Sequence, residues 1–195
     1  MQETRIGEED FLLGNIGAGY GAAAGRIKGG LGSASLVSDD GIQVGAVFAV
    51  NPVGSVLVPG TRHFWAWALE QQGEFGGLGA PEISADIPLD MPAESRLAEN
   101  TTIGVVATNV TLTKSEAKRI AIMAHDGLAR AIRPVHTPFD GDSIFALSTE
   151  KIELSGPRAM GVARIGAMAA DCVARSIARA VYNATSLGGI PGYLS

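Results

Sequence analysis

A chain of 195 residues that is 46% apolar and 18% charged suits one globular domain with a substantial core. Its formal charge of −5, with no block of Lys or Arg, argues against an electrostatic nucleic-acid footprint, and the single Cys172 excludes an intrachain disulfide framework and a Cys-rich zinc site. No uninterrupted apolar run approaches the roughly 18 residues of a membrane span, and residues 1–10, MQETRIGEED, lack the features of a signal peptide, so a cytoplasmic protein is expected.

Residues 12–38, LLGNIGAGYGAAAGRIKGGLGSASLVS, are punctuated by glycine and read as short steps. Residues 42–50, IQVGAVFAV, read as a strand buried on both faces or nearly so. Asn51-Pro52 breaks it, and GSVLV (54–58) predicts a return strand. From Pro59 to about Asn100 the pattern dissolves into prolines (59, 81, 88, 92), the run Gly76-Gly77-Leu78-Gly79 and many acids. An exposed, mobile segment is expected there.

TIGVVATNV (102–110) reads as another buried strand. Thr113-x-x-Glu116 is a capping box opening a helix over 114–132, with Ala117, Ile120, Ala121, Ala124, Leu128 and Ala131 at the helical period. Pro134 stops it. HTPFDGD (136–142) is a loop and SIFALS (143–148) a strand. A second helix is predicted over 161–184, its apolar stripe running from Ile165 through Cys172 to Val181, with Arg164, Asp171, Arg175 and Arg179 mainly on the other face. The order predicts a layered α/β fold.

Several constellations invite chemistry. Gly17-x-Gly19-x-x-Ala22, with Asp39 and Asp40 about twenty residues on, has the outline of a dinucleotide fingerprint. A true fingerprint follows a well-formed strand and opens a long helix; here Gly29-Gly30 interrupts the would-be helix, and a tight turn is the plainer reading. His136, Asp140 and Asp142 are metal-ligand types without an evident fourth ligand, and acidic loops of this kind are more often turns. His63 and His125 have no evident partners. Cys172 lies on the apolar stripe as a small packing residue.

The junction Leu97-Ala-Glu-Asn100-Thr101-Thr102 carries the most information. On the residues alone, two threonines opening a strand are ordinary β-formers. The chemical alternative is cleavage of Asn100–Thr101. Thr101 would then carry a hydroxyl nucleophile and a free α-amine, which titrates near ~7.7–8.0 and can serve as its base.

AENTTIGVVATNV, followed by VHTPFDGDSIFALST and preceded by GNIGAGYGAAAGRIKGGLGSASL and VGAVFAVNPVG, resembles one family of N-terminal-nucleophile hydrolases. It contains the L-aminopeptidase/D-amidase/D-esterase enzymes, the β-peptidyl aminopeptidases and the nylon-oligomer (6-aminohexanoate-oligomer) hydrolase. The likeness spans most of residues 12–150. It implies an αββα sandwich, a homo-oligomer, and self-cleavage between Asn100 and Thr101 into chains 1–100 and 101–195. It implies Thr101 as nucleophile, Asn51 as an oxyanion ligand, and Asp140 and Asp142 as the pair orienting the nucleophile's amine and hydroxyl. The family's cation in the Gly-rich segment aligns with Arg26, with Lys28 two residues on. Family precursors carry a further N-terminal segment before this motif, so uncovered sheet edge or apolar surface is expected here. The implied reaction is hydrolysis of an amide bond next to a free amino terminus in a small peptide or oligoamide. It needs no cofactor, metal, nucleic acid or membrane. A nylon-type endo-hydrolase, a silent structural protein and a nucleotide-binding module are the alternatives.

Overall fold

The computed structural model describes residues 12–82, 87–90 and 100–195. Leu97, Ala98 and Glu99 of the junction motif, and Pro92 of the preceding run, lie outside the described residues.

A two-stranded hairpin, β1 (Ala23–Ala24) and β2 (Ile27–Lys28), precedes a four-stranded sheet. The sheet holds β3 (Gly30–Val37), β4 (Gln43–Asn51), β5 (Thr101–Val110) and β6 (Ser143–Ile152), in spatial order β3-β4-β5-β6. The first two pairings are antiparallel and the β5–β6 pairing is parallel. A parallel neighbour needs a crossover, supplied by α1 (Lys114–Ala131). Helix α2 (Arg158–Tyr182) follows β6. Thr113 and Glu116 cap α1 reciprocally, as the sequence predicts.

The helices cover one face of the sheet. Val44, Ala46, Phe48, Val50 and Val106 bury against Ile165, Ala169, Val173 and Ile177 in one core. Glycine sets how close the layers come. A Cβ on Gly32 would stand 1.9 Å from the Ser176 carbonyl oxygen, and one on Gly127 2.3 Å from that of Ala170. Strand β3 and helix α1 therefore lie directly on the α2 backbone. Cys172 is fully buried, and that burial pushes its thiol up to about 12, consistent with a packing role.

The opposite face of the sheet is open among the described residues. Val47 stands opposite Val105, and Val105 beside Phe145. These three, with Ile103 and Leu147, are 39–61% exposed. Strands 42–50 and 102–110, expected to be buried on both faces, are thus half-buried, because helices cover only one side.

Other expectations need correction. β3 was hidden in the glycine-rich stretch: its glycines are there for helix contact and do not break the strand. The predicted return strand 54–58 makes only isolated bridges, Ser55 with Arg133 and Leu57 with Phe64. The run after Pro59 is not all exposed. Phe64, Ala66 and Phe75 are buried, around a 3-10 turn at Trp65–Leu69. Arg175, expected on the polar face of α2, is also buried. It donates to Glu74 (3.0 Å) and to the Ser35 carbonyl (2.9 Å), tying that run to helix and sheet. The fingerprint-like glycines form a three-residue 3-10 turn, not a helix start. A Cβ at Gly19 would meet Leu31 N at 2.2 Å, so close backbone packing explains that residue and the nucleotide reading loses its motif. No helix among the described residues is long and apolar enough to cross a membrane.

Candidate active site

β-Branched threonines suit an extended strand, and Thr101 is the first residue of β5, with Asn100 just before it. Asn100 bridges to Asp140 in parallel fashion. This brings the loop before β6 alongside Asn100 at the head of β5. The Gly141 N–H donates to the Asn100 carbonyl oxygen at 3.0 Å. The Thr101 hydroxyl donates to the same oxygen at 2.7 Å. A Cβ on Gly141 would lie 2.8 Å from Thr101 Oγ1, so glycine is what lets the loop before β6 close on this carbonyl.

Asn51 ends β4 directly opposite Thr101, and directly opposed residues share a sheet face. Its Oδ1 accepts from Ala23 N–H at 2.9 Å. That bond fixes which way the amide points, leaving its NH2 edge as the donor side.

The two aspartates do different things. Asp140 Oδ1 accepts from Val53 N–H (3.0 Å), and Oδ2 accepts from Thr137 N–H (3.0 Å) and Thr137 Oγ1 (2.6 Å). It clamps the HTPFDGD loop to the turn after Asn51. Asp142 Oδ1 accepts from Thr102 N–H at 2.9 Å, and Oδ2 pairs with His136 Nδ1 at 2.7 Å. The side chain of Asp142 is only 3% exposed. Both loops are thus gathered at Thr101, while the carboxylates bond its neighbours and not its hydroxyl.

The two candidate cations separate. Arg26 lies in the hairpin turn, its side chain 66% exposed and donating to Asp90 at 2.9 Å. Lys28 is buried, and burial lowers its pKa from the ordinary lysine value. Its Nζ donates to the Tyr20 carbonyl at 3.1 Å. Lys28 is also the strand partner of Ala23, whose N–H holds Asn51. The buried cation on the Asn51 side is therefore Lys28.

Sequence reasoning missed the Gly141 N–H, which no side-chain pattern announces. It also gave His125 no partner, whereas His125 Nδ1 meets His136 Nε2 at 3.4 Å. The contact links α1 to the loop after it, a proximity that only folding creates.

Thr102 is the internal control for Thr101. Its side chain points into the helix-covered face, and its Oγ1 is buried without a hydrogen-bond partner. An unsatisfied buried hydroxyl is costly, so Thr102→Val is expected to stabilise the fold by about 1 kcal/mol. The denaturant midpoint should rise, with the Asn100–Thr101 bond behaving as in the wild type.

Comparison with known proteins places the whole chain. Residues 3–194 match Peptidase family S58. An uncharacterized aminopeptidase of Mycobacterium tuberculosis is 42% identical over 196 residues, covering 94% of this chain and 56% of its own length. A 6-aminohexanoate-oligomer endohydrolase of Kocuria sp. is 30% identical over 189 residues, covering 93% of this chain and 48% of its own. Among solved structures, the L-aminopeptidase D-Ala-esterase/amidase of Ochrobactrum anthropi, a variant of the Ntn hydrolase fold, superposes with TM-score 0.59 at 21% identity. That match covers 93% of this chain and 47% of the other. The chain spans about half the length of the relatives it matches. Its α/β fold is of the Ntn-hydrolase type, and by a match along nearly its whole length the chain belongs to Peptidase family S58.

Proposed function

We propose that the chain acts as an amide hydrolase through Thr101, freed as an N-terminal nucleophile by self-cleavage of the Asn100–Thr101 bond into 1–100 and 101–195. The observation that carries this reading is the Asn100 carbonyl oxygen, which accepts hydrogen bonds from both the Thr101 hydroxyl (2.7 Å) and the Gly141 N–H (3.0 Å). A nucleophile and an oxyanion donor on one scissile carbonyl are what an acyl shift requires.

In self-cleavage, Thr101 Oγ attacks the Asn100 carbonyl carbon and loses its proton, and the oxygen charge develops against Gly141 N–H. The C–N bond then breaks, the Thr101 nitrogen takes up the proton that Oγ gave up, and an ester joins Asn100 to Thr101 Oγ. Water hydrolyses the ester, leaving a carboxylate at Asn100 and a free α-amine at Thr101. In turnover, that amine takes the proton from Oγ as it attacks the substrate carbonyl. Asn51 and backbone N–H groups receive the oxyanion, the substrate C–N bond breaks as the leaving amine takes that proton from the Thr101 amine, and water hydrolyses the acyl ester left on Oγ. Asp140 and Asp142 hold the two loops that frame the nucleophile. Lys28 supplies the nearby positive charge, in preference to Arg26, whose side chain turns outward to Asp90.

The substrate class is a small peptide or oligoamide with a free amino terminus. The names of the relatives support two variants, an aminopeptidase and an oligoamide endo-hydrolase. Incubating the purified full chain with amino-acid p-nitroanilides and with 6-aminohexanoate oligomers separates them. Anilide release supports the first, internal cleavage of the oligomer supports the second, and turnover of neither contradicts the hydrolase reading. The single, buried Cys172 fits a cytoplasmic, reducing compartment.

A homo-oligomer belongs to the same reading, because the open sheet face carries a contiguous apolar row and such surface is an association site. Light scattering should find the chain associated, and Phe145→Ser with Leu147→Ser should shift it toward the monomer. A monomeric wild type would contradict this.

A further inference from the structure

We propose that His136 is a positioning residue for the nucleophile: its Nδ1–H holds the Asp142 carboxylate so that the other carboxylate oxygen fixes the backbone at the start of β5. The inference rests on Thr101 being the nucleophile and assigns a part to a side chain outside the set the family resemblance supplies.

The geometry is a chain of contacts running from the surface to the site. Asp142 has two oxygens and gives each a task. Oδ1 accepts from Thr102 N–H at 2.9 Å, one residue from the nucleophile, and Oδ2 pairs with His136 Nδ1 at 2.7 Å. The carboxylate is nearly buried, at 3% exposure. A buried carboxylate depends on its few donors, and removing one leaves it poorly compensated. Rotation of Asp142 would also move Gly141, whose N–H holds the Asn100 carbonyl and on which a Cβ would stand 2.8 Å from Thr101 Oγ1.

The His136 ring is itself braced. Its Nε2 meets His125 Nδ1 at 3.4 Å, with the ring centroids 5.0 Å apart. Burial and the neighbouring His136 lower the pKa of His125, which favours a neutral ring able to share one proton with His136 Nε2. The backbone at His136 is left-handed, with φ 53°, a conformation in which histidine, like asparagine and aspartate, is enriched over other residues with a side chain. That turn aims the ring at the buried Asp142 carboxylate, which it meets at 2.7 Å.

That backbone also dictates the variants. Glycine relieves any left-handed strain and removes the ring, so His136→Gly isolates the loss of the hydrogen bond. Asparagine tolerates the same φ and places an amide N–H where Nδ1 stood, so His136→Asn restores the donor. The ring is 41% exposed, so free imidazole can reach the space it leaves.

The experiment synthesises the full chain in vitro as wild type, Thr101→Ala, His136→Gly and His136→Asn. Cleavage at Asn100–Thr101 is followed by intact mass over time, with and without added imidazole, and each variant's melting temperature is recorded. His136→Gly is expected to cut about tenfold or more slowly than wild type, the scale of one hydrogen bond to a charged group, with His136→Asn within about threefold. Imidazole should speed His136→Gly and leave wild type unchanged, which a merely structural role would not produce. A His136→Gly chain that cuts like the wild type, or that is slow and regained by neither Asn nor imidazole, overturns the proposal and leaves the nucleophile intact. A wild type that stays whole, or a Thr101→Ala chain that cuts as fast as wild type, overturns the nucleophile reading and this proposal with it.

Discussion

Thr101→Ala is expected to remain one uncut chain without amidase activity, while Thr101→Ser keeps some of both. The hydroxyl is asked to attack twice, first at the carbonyl carbon of Asn100, whose oxygen it meets at 2.7 Å, and then at the substrate. Alanine removes the attacking atom from both steps. Because the free α-amine exists only after the first step, the loss is compound: the variant lacks nucleophile and base together. Removal of a catalytic nucleophile typically costs about 10^4-fold or more, which in an assay reads as none. Serine preserves the oxygen but lacks the methyl group that restricts χ1, so a slower, measurable reaction is expected. Thr102→Ala, on the helix-covered face, should still cut at the same bond. Mass spectrometry of the four chains, with anilide turnover beside it, decides the matter. Cutting that persists in Thr101→Ala would remove Thr101 from the mechanism.

Gly32→Ala is expected to be the most damaging one-methyl change in the fold. The added Cβ would sit 1.9 Å from the Ser176 carbonyl oxygen and 2.7 Å from Ala180 N. Both are backbone atoms of α2, so no side chain can swing aside, and the helix must lift from the sheet. Overpacking of this kind costs about 3 kcal/mol, a fall in melting temperature of roughly 6–12 °C for a chain of this size. Gly45→Ala is the matching control. It lies on β4, with its nearest neighbour, Ala34 O, 3.9 Å from the added Cβ. The same methyl there fills open space and reduces unfolded-chain freedom, so stability should hold or rise slightly. Equal effects at both positions in a thermal melt would contradict the packing described.

The contrast between those two glycines shows what the sequence could and could not disclose. Periodicity and the capping box were enough to predict α1 nearly to its ends, because they are local. Alternation and apolar runs located β4 and β5. Strand β3 was not legible: Gly30, Gly32 and the small residues between them look like a loop until α2 is laid across them. The burial of Phe64 and Phe75 in a run rich in glycine and proline, and of Arg175 in α2 against it, was likewise invisible, since the Arg175–Glu74 pair spans more than a hundred residues. At the site, Thr101 and Asn51 could be named from the sequence, but their cross-strand pairing could not. Nor could the exit of Arg26 to Asp90, the burial of Lys28, or the His125–His136–Asp142 chain, all of which depend on tertiary approach.

The most direct measurement is the amino-terminal sequence and intact mass of the purified wild-type chain. Self-cleavage through Thr101 predicts two fragments that stay associated, one of them beginning Thr101-Thr102-Ile103-Gly104. A single species with the Asn100–Thr101 bond intact, or a new terminus at any other residue, would contradict it.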